Sequence, residues 1–249
     1  MVSDEAATVS KTVQLDESSI VGLAAADITY TATDGNFGDG ITVWTGFGDD
    51  QVAVSGSRLD AGIFTITTLN TGLGNDTVTV NLQGAVDGSF VLNTQGPYND
   101  QPAAADDDTV DASASTLPLV IFGGQGTDTI TGSSAGDIIF GDRGRVRYTD
   151  GDGNVTTELG NGGPGDRTDG IYRNNFSIFT IDAVIGGTDD IDAGEGDNII
   201  LGGAGSDSIT GGSGGDAAVG DNGKIEYQEI GGFARLTEVR TSDTDITTG

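Results

Sequence analysis

The stretch LGGAGSDSITGGSGGDAAVGDNG, residues 201–223, sets glycine pairs nine residues apart and returns an aspartate at the same point of each interval. Two units fill most of it, GGAGSDSIT (202–210) and GGSGGDAAV (211–219), both of the form GGxGxDxUx with U aliphatic. Six residues of such a unit make a turn, whose glycines accept positive φ and let neighbouring backbones approach closely. The last three make a short strand whose central side chain points inward. Two units therefore form one flat coil of a solenoid, residue i lies beside residue i+18, and the U positions stack into inward ladders. The predicted core residues are Ile130, Ile139, Ile200, Ile209 and the undersized Ala218. The turns stack as well, which brings aspartates and glycine carbonyls of successive coils together on each edge. Those groups repel one another unless a cation lies between them.

Working outward, residues 199–227 align without gaps to residues 120–148, an offset of 79 with 15 identities in 29 positions. A tandem module is the simplest reading. The period of nine continues in GGQGTDTIT (123–131), GSSAGDIIF (132–140), GDRGRVRYT (141–149), AGEGDNIIL (193–201) and GDNGKIEYQ (220–228), with a shortened unit GGTDDID at 186–192. Residues 150–180 form an insertion that loops out and returns as a strand. Before residue 119 the turn recurs sparsely, in TGFGDDQVA (45–53), TGLGNDTVT (71–79) and ADDDTVDAS (105–113), separated by alternating stretches such as TVTVNL that read as strands. This gives an all-β chain in three parts: 1–119 with long coils, 120–198 as a first module carrying the insertion, and 199–249 as a truncated second module. The truncation leads us to expect a segment of a longer array.

Charge narrows the chemistry. The chain has 249 residues, of which 43 are glycine, 39 are acidic and only 10 basic; the formal net charge is −29, with neither histidine nor cysteine. Nucleic acid and anionic membranes are poor partners for such a surface. Disulfide, thiolate and imidazole chemistry is excluded, so oxygen is the metal donor and a hard divalent cation the natural counterion. Calcium accepts six to eight oxygens in loose geometry, which suits carboxylates mixed with backbone carbonyls better than magnesium's strict octahedron. A site with Kd tenfold below ambient calcium adds about 1.4 kcal/mol of stability. Five or six such sites rival the whole stability of a domain, about 5 to 15 kcal/mol. The opening MVSDEAATVSKTV lacks the basic and apolar regions of a cleaved signal, and no apolar run reaches the length of a membrane span.

These residues resemble the RTX (repeats-in-toxin) calcium-binding proteins, since GGQGTDTIT and GGAGSDSIT fit the family nonapeptide at every specified position. The resemblance implies a right-handed parallel β-solenoid, the β-roll, with several Ca²⁺ ions. By resemblance the sixth-position aspartates Asp128, Asp137, Asp207 and Asp216 hold calcium, with Asn198 a weaker substitute and Asp190 the contribution of the shortened unit. The same logic suggests Asp50, Asp76 and Asp108. Turn carbonyls of Gly124, Gly126, Gly203, Gly205, Gly212 and Gly214 complete the sites. Where Val146 and Ile225 take the sixth position, only carbonyls of Gly141, Gly144, Gly220 and Gly223 are offered, with Asp142 or Asp221 beside them. The family is typically exported by type I secretion from Gram-negative bacteria and folds in extracellular calcium, which implies a secreted or cell-surface location.

Other functions find less support in the residues. Asp189 with Asp190, or Asp106 to Asp108, could serve as acid and base in glycoside cleavage. The acidic residues occupy repeat positions instead of one unrepeated cluster, so no catalytic residue and no enzyme are expected. Arg143, Arg145, Arg147, Arg167 and Arg173 gather near the insertion and compensate local negative charge, or meet an acidic module or a sugar acid. Trp44 reads as a coil-edge residue, and Tyr148 and Tyr227 as caps of coil ends. Three functions remain: a structural segment of a large surface protein, adhesin or surface-layer array; the calcium-dependent export and folding module of a secreted enzyme or toxin; and a module binding cell-surface or matrix carbohydrate. The tandem period favours the first, with neighbouring copies of the module as partners.

Overall fold

The computed structural model describes residues 1–33, 35–94, 106–160 and 168–242, and every regular element among them is a β-strand. The chain opens with β1 (Val2–Ser3), β2 (Thr12–Leu15) and a hairpin of β3 (Ser19–Val21) and β4 (Ile28–Thr29). It then winds as β5 (Ile41–Trp44), β6 (Gln51–Val54), β7 (Ile66–Asn70), β8 (Thr77–Val80), β9 (Ser89–Asn93), β10 (Thr109–Asp111), β11 (Leu119–Phe122), β12 (Thr129–Thr131) and β13 (Ile138–Phe140). An excursion follows through β14 (Gly144–Thr149), β15 (Val155–Leu159) and β16 (Phe176–Thr180). Winding resumes with β17 (Asp190–Asp192), β18 (Ile199–Leu201), β19 (Ser208–Thr210) and β20 (Ala217–Val219), and the chain leaves again as the hairpin β21 (Gly223–Ile230) and β22 (Phe233–Thr241).

Successive winding strands alternate between two parallel sheets, one ordered β1-β5-β7-β9-β11-β13-β18-β20 and the other β19-β17-β12-β10-β8-β6-β2, extended antiparallel by β3 and β4. This is a parallel β-solenoid. One inward ladder runs Val43, Leu69, Leu92, Ile121, Ile139, Ile200, and the facing one Val13, Val52, Val78, Val110, Ile130, Ile191, Ile209. Each rung that is fully buried contributes about 1.5 to 3 kcal/mol over an exposed side chain. Ile121 pairs with Ile139 and Ile191 with Ile209, both at the expected separation of 18. Ile139 meets Ile200 across the excursion, 61 residues later. Ala218 is exposed instead of core, because β20 is the last strand of its sheet and no coil covers it.

The two sheets differ in sequence for a physical reason. Strands of the second sheet read TIT, DID and SIT, apolar only inward, whereas those of the first read LVIF, IIF and IIL, apolar on both faces. Continuous apolar strands need cover on both sides. The excursions supply it, joining in a five-stranded antiparallel sheet ordered β15-β14-β16-β21-β22. Val146, Tyr148, Leu159, Ile178 and Ile225 from that sheet form a second core with Ile66, Val91, Phe122, Phe140, Ile199, Leu201 and Val219.

Units 141–149 and 220–228 are therefore not solenoid coils. Val146 and Ile225, apolar where the nonapeptide has aspartate, are buried core residues of this covering sheet, both in register with Ile178. The chain departs at residue 142, earlier than the expected insertion, and β16 is the returning strand. Tyr148 and Tyr227 do not cap coils; they flank Phe176, with ring centroids 5.4 Å and 4.7 Å away. Trp44 ends β5 and is buried. Of the basic cluster, Arg143 pairs with Asp182 at 3.0 Å, Arg173 with Asp169 at 2.6 Å and Arg147 with Glu158, while Arg167 lies outside the described residues.

Candidate metal centre

Each parallel strand of the second sheet is preceded by a residue standing two positions before its inward-facing one, at the end of the approach to that strand. Six of these residues are aspartates: Asp50, Asp76, Asp108, Asp128, Asp189 and Asp207. They form a ladder. The Oδ1 atom of each accepts the backbone N–H of the equivalent residue one coil earlier: Lys11 to Asp50 at 2.6 Å, Asp50 to Asp76 and Asp76 to Asp108 at 2.7 Å, Asp108 to Asp128 at 2.8 Å, Asp128 to Asp189 at 2.9 Å and Asp189 to Asp207 at 3.1 Å. The other oxygen, Oδ2, is buried in all six without a hydrogen-bond partner. A buried carboxylate oxygen with nothing to meet it costs several kcal/mol. Where the turn leaves room beside that oxygen, something positive belongs there.

The glycines show where it fits. A side-chain carbon on Gly123 would stand 2.6 Å from Asp128 Oδ2 and collide with the Gly141 carbonyl oxygen of the next coil. One on Gly141 would meet Asp189 Oδ2 and the Gly202 carbonyl, and one on Gly202 would meet Asp207 Oδ2 and the Gly220 carbonyl. Each missing methyl thus marks a cradle between one carboxylate oxygen and one carbonyl oxygen. None of these three glycines has left-handed φ, unlike Gly124, Gly126, Gly203 and Gly205 in the same turns. Space, and not backbone conformation, requires glycine at the first position. Oxygen donors converging from two coils suit a calcium ion. Among the described residues no three acidic side chains converge on one point.

The electrostatics favour a cation beside these groups. Burial, then the neighbouring Asp189 charge, pushes Asp128 well above the usual carboxylate range, and burial with the Asp128 charge does the same to Asp108. Burial lifts Asp76 to about 8 and Asp189 to about 7, and raises Asp207 and Asp50. A divalent ion reverses that logic by favouring the ionised form.

The opposite edge carries the same kind of cradle, since a side-chain carbon on Gly132 would stand 2.8 Å from Asp137 Oδ2 and collide with the Ala193 carbonyl, but its carboxyls are partnered differently. Asp137, Asn198 and Asp216 continue a ladder there, with Leu119 N–H donating to Asp137 at 2.7 Å, Asp137 N–H to Asn198 Oδ1 at 2.9 Å and Asn198 N–H to Asp216 at 3.0 Å. Both Asp137 oxygens already accept bonds, Oδ2 from Ser133 N–H at 2.6 Å and Oδ1 from the Ser133 hydroxyl at 2.9 Å. The Asn198 amide donates to the Gly211 carbonyl at 3.0 Å, where a metal would otherwise bridge.

Several residues singled out from sequence lie elsewhere. Asp190 begins β17 with its side chain exposed, and Asp189 takes its place in the row, since it stands two residues before Ile191 as Asp207 does before Ile209. Gly144 and Gly223 fall within β14 and β21, away from the turns. Asp142 is buried at the point of departure, and its carboxylate accepts N–H groups of Gly187, at 3.1 Å, and Ala204. It replaces the turn that the excursion removes. Burial, then the charge of Asp189, lifts it to about 9. Counting back from each strand's central aliphatic would have found Asp189.

With this geometry in hand, residues 120–145 and 185–218 match the RTX calcium-binding nonapeptide repeat model, in four copies. The chain carries RTX repeats, and these bind several Ca²⁺ ions. No curated protein and no solved structure matches the chain.

Proposed function

We propose that this chain with RTX calcium-binding repeats is an extracellular structural rod, a segment of a large surface protein, adhesin or surface-layer array that becomes rigid when calcium fills its turns. The observation that carries the reading is the row of buried, unpartnered Oδ2 atoms standing over glycine cradles in consecutive coils. Calcium is held by Asp128, Asp189 and Asp207 with the carbonyls of Gly141, Gly202 and Gly220. The net charge of −29 supports the same view, because close-packed carboxylates oppose compaction until cations neutralise them. Export in an unfolded, calcium-free state followed by folding outside the cell matches the route typical of the repeat family. Among the described residues no helix is long and apolar enough to cross a membrane.

Far-UV circular dichroism during a calcium titration tests this, with magnesium as control. The expected result is a gain of β-signal and a higher melting temperature with calcium alone. A melting temperature unchanged by calcium would overturn the reading. A parent gene encoding many further 79-residue copies supports the structural rod, whereas one encoding a catalytic region supports an export and folding module.

A further inference from the structure

The first turn position changes character along the rod. Its residues are identified by the backbone ladder Asp4, Thr45, Thr71, Thr94, Gly123, Gly141, Gly202, in which each N–H donates to the last strand residue of the next coil. In the last three the position is empty of side chain, and the cradle described above opens. In Thr45, Thr71 and Thr94 it is occupied by a fully buried β-branched residue. The Thr45 hydroxyl donates to the Thr71 carbonyl at 3.1 Å, that of Thr71 to the Thr94 carbonyl at 2.9 Å, and that of Thr94 to the Gly123 carbonyl. These are the equivalents of the carbonyls that face the glycine cradles. The Thr45 and Thr71 hydroxyls also lie beside their own coils' Asp50 and Asp76 carboxyls. In the first coil Lys11 takes the aspartate's place, and its ammonium binds Asp4 at 2.7 Å.

We propose that Thr45, Thr71 and Thr94 stand in for the metal, so that the coils of β5 to β9 close without calcium and form a preassembled template onto which the glycine coils dock as calcium binds. The inference rests on the calcium reading of the glycine coils. The hydroxyl proton meets the carbonyl oxygen that a cation meets elsewhere, and the side chain fills the cradle beside the carboxyl, which leaves a cation neither that donor nor the room. The threonine coils hold further side-chain bridges of the same kind. Asn93 donates to Asn70 at 3.0 Å and Asn70 to the Val43 carbonyl at 3.3 Å, one coil to the next. Asp50, Asp76 and Asp108, the carboxyls of the three threonine coils, are accordingly structural, and the calcium row begins at Asp128.

Hydrogen exchange read by mass spectrometry on the full chain, in calcium and in chelator, separates the possibilities. Amides of β5 to β9 should stay protected in both conditions, and those of β12, β13 and β17 to β20 only in calcium. Loss of protection throughout in chelator would overturn the template while leaving the calcium reading intact. Full protection throughout in chelator would remove both. Two variants sharpen the test. Thr71→Gly opens a cradle against Asp76, so it should make protection of β7 and β8 calcium-dependent and add one calcium per chain in a calorimetric titration. Thr71→Val keeps the shape without the donor, and its loss of protection should not be rescued by calcium. Equal behaviour of the two variants in calcium would overturn the proposal.

Discussion

Replacing Asp189 by asparagine should stabilise the metal-free chain and weaken the calcium-loaded one. In the absence of metal Asp189 is 1% exposed, its Oδ2 has no partner, and burial raises its pKa to about 7. At pH 8 the folded chain carries it ionised against that burial, at a cost of about 1.4 kcal/mol for each tenfold weakening of the acid. Asparagine keeps an oxygen for the Asp128 N–H and adds an amide that can reach the Gly202 carbonyl, as Asn198 already reaches the Gly211 carbonyl at 3.0 Å. A gain of about 1 to 3 kcal/mol in chelator follows, since part of the charge penalty is relieved and one buried hydrogen bond is added. In calcium the wild type gains about 2.7 kcal/mol from one site when the free ion is a hundredfold above Kd, and the variant forgoes it. Denaturant melts of both chains across a calcium series read the two effects together. The stability curves should cross. A variant less stable than wild type in chelator, with the same calcium slope, would refute the reasoning.

Further outcomes follow from the same geometry. With metal removed, the folded-state pKa values near 7 and 8 for Asp189 and Asp76 exceed the unfolded value of 3.8, so their contribution is full below pH 4 and lost as pH rises through 7 to 8. The melting temperature in chelator should fall over that window, while calcium affinity at Asp189, which needs the ionised form, should rise. Gly141→Ala places a methyl in the Asp189 cradle and should remove one calcium per chain by titration, at a packing cost of about 1 to 3 kcal/mol. Ile139→Ala, in the middle of the inward ladder, should cost about 2 to 5 kcal/mol whether or not calcium is present, as read by chemical denaturation.

The solenoid is legible in the sequence because its signal is periodic: the glycine pairs, the single aliphatic in each strand and the separation of 18 all reappear in the registers of Ile121 with Ile139 and Ile191 with Ile209. What escapes has a physical cause in each instance. Sequence alone points to Asp190 over Asp189 because a shortened unit has no full glycine frame to count from, whereas Ile191 fixes the register in three dimensions. GDRGRVRYT and GDNGKIEYQ share the turn's opening glycine, yet their alternating apolar residues belong to a strand of period two, and the covering sheet that needs them is formed by segments far apart in the chain. The threonines at 45, 71 and 94 look like ordinary strand-end residues until their hydroxyls are seen to bond from one coil to the next.

The covering sheet gives the solenoid a mechanical property. Strand β16 hydrogen-bonds β14 on one side and β21 on the other, while β13 and β18 pair in the solenoid wall below. Tension along the stacking axis is therefore shared between two ladders lying side by side, one of which contains none of the glycine cradles. A solenoid stretched in calcium-poor water would keep that second ladder as a strap across the point where the excursion leaves it.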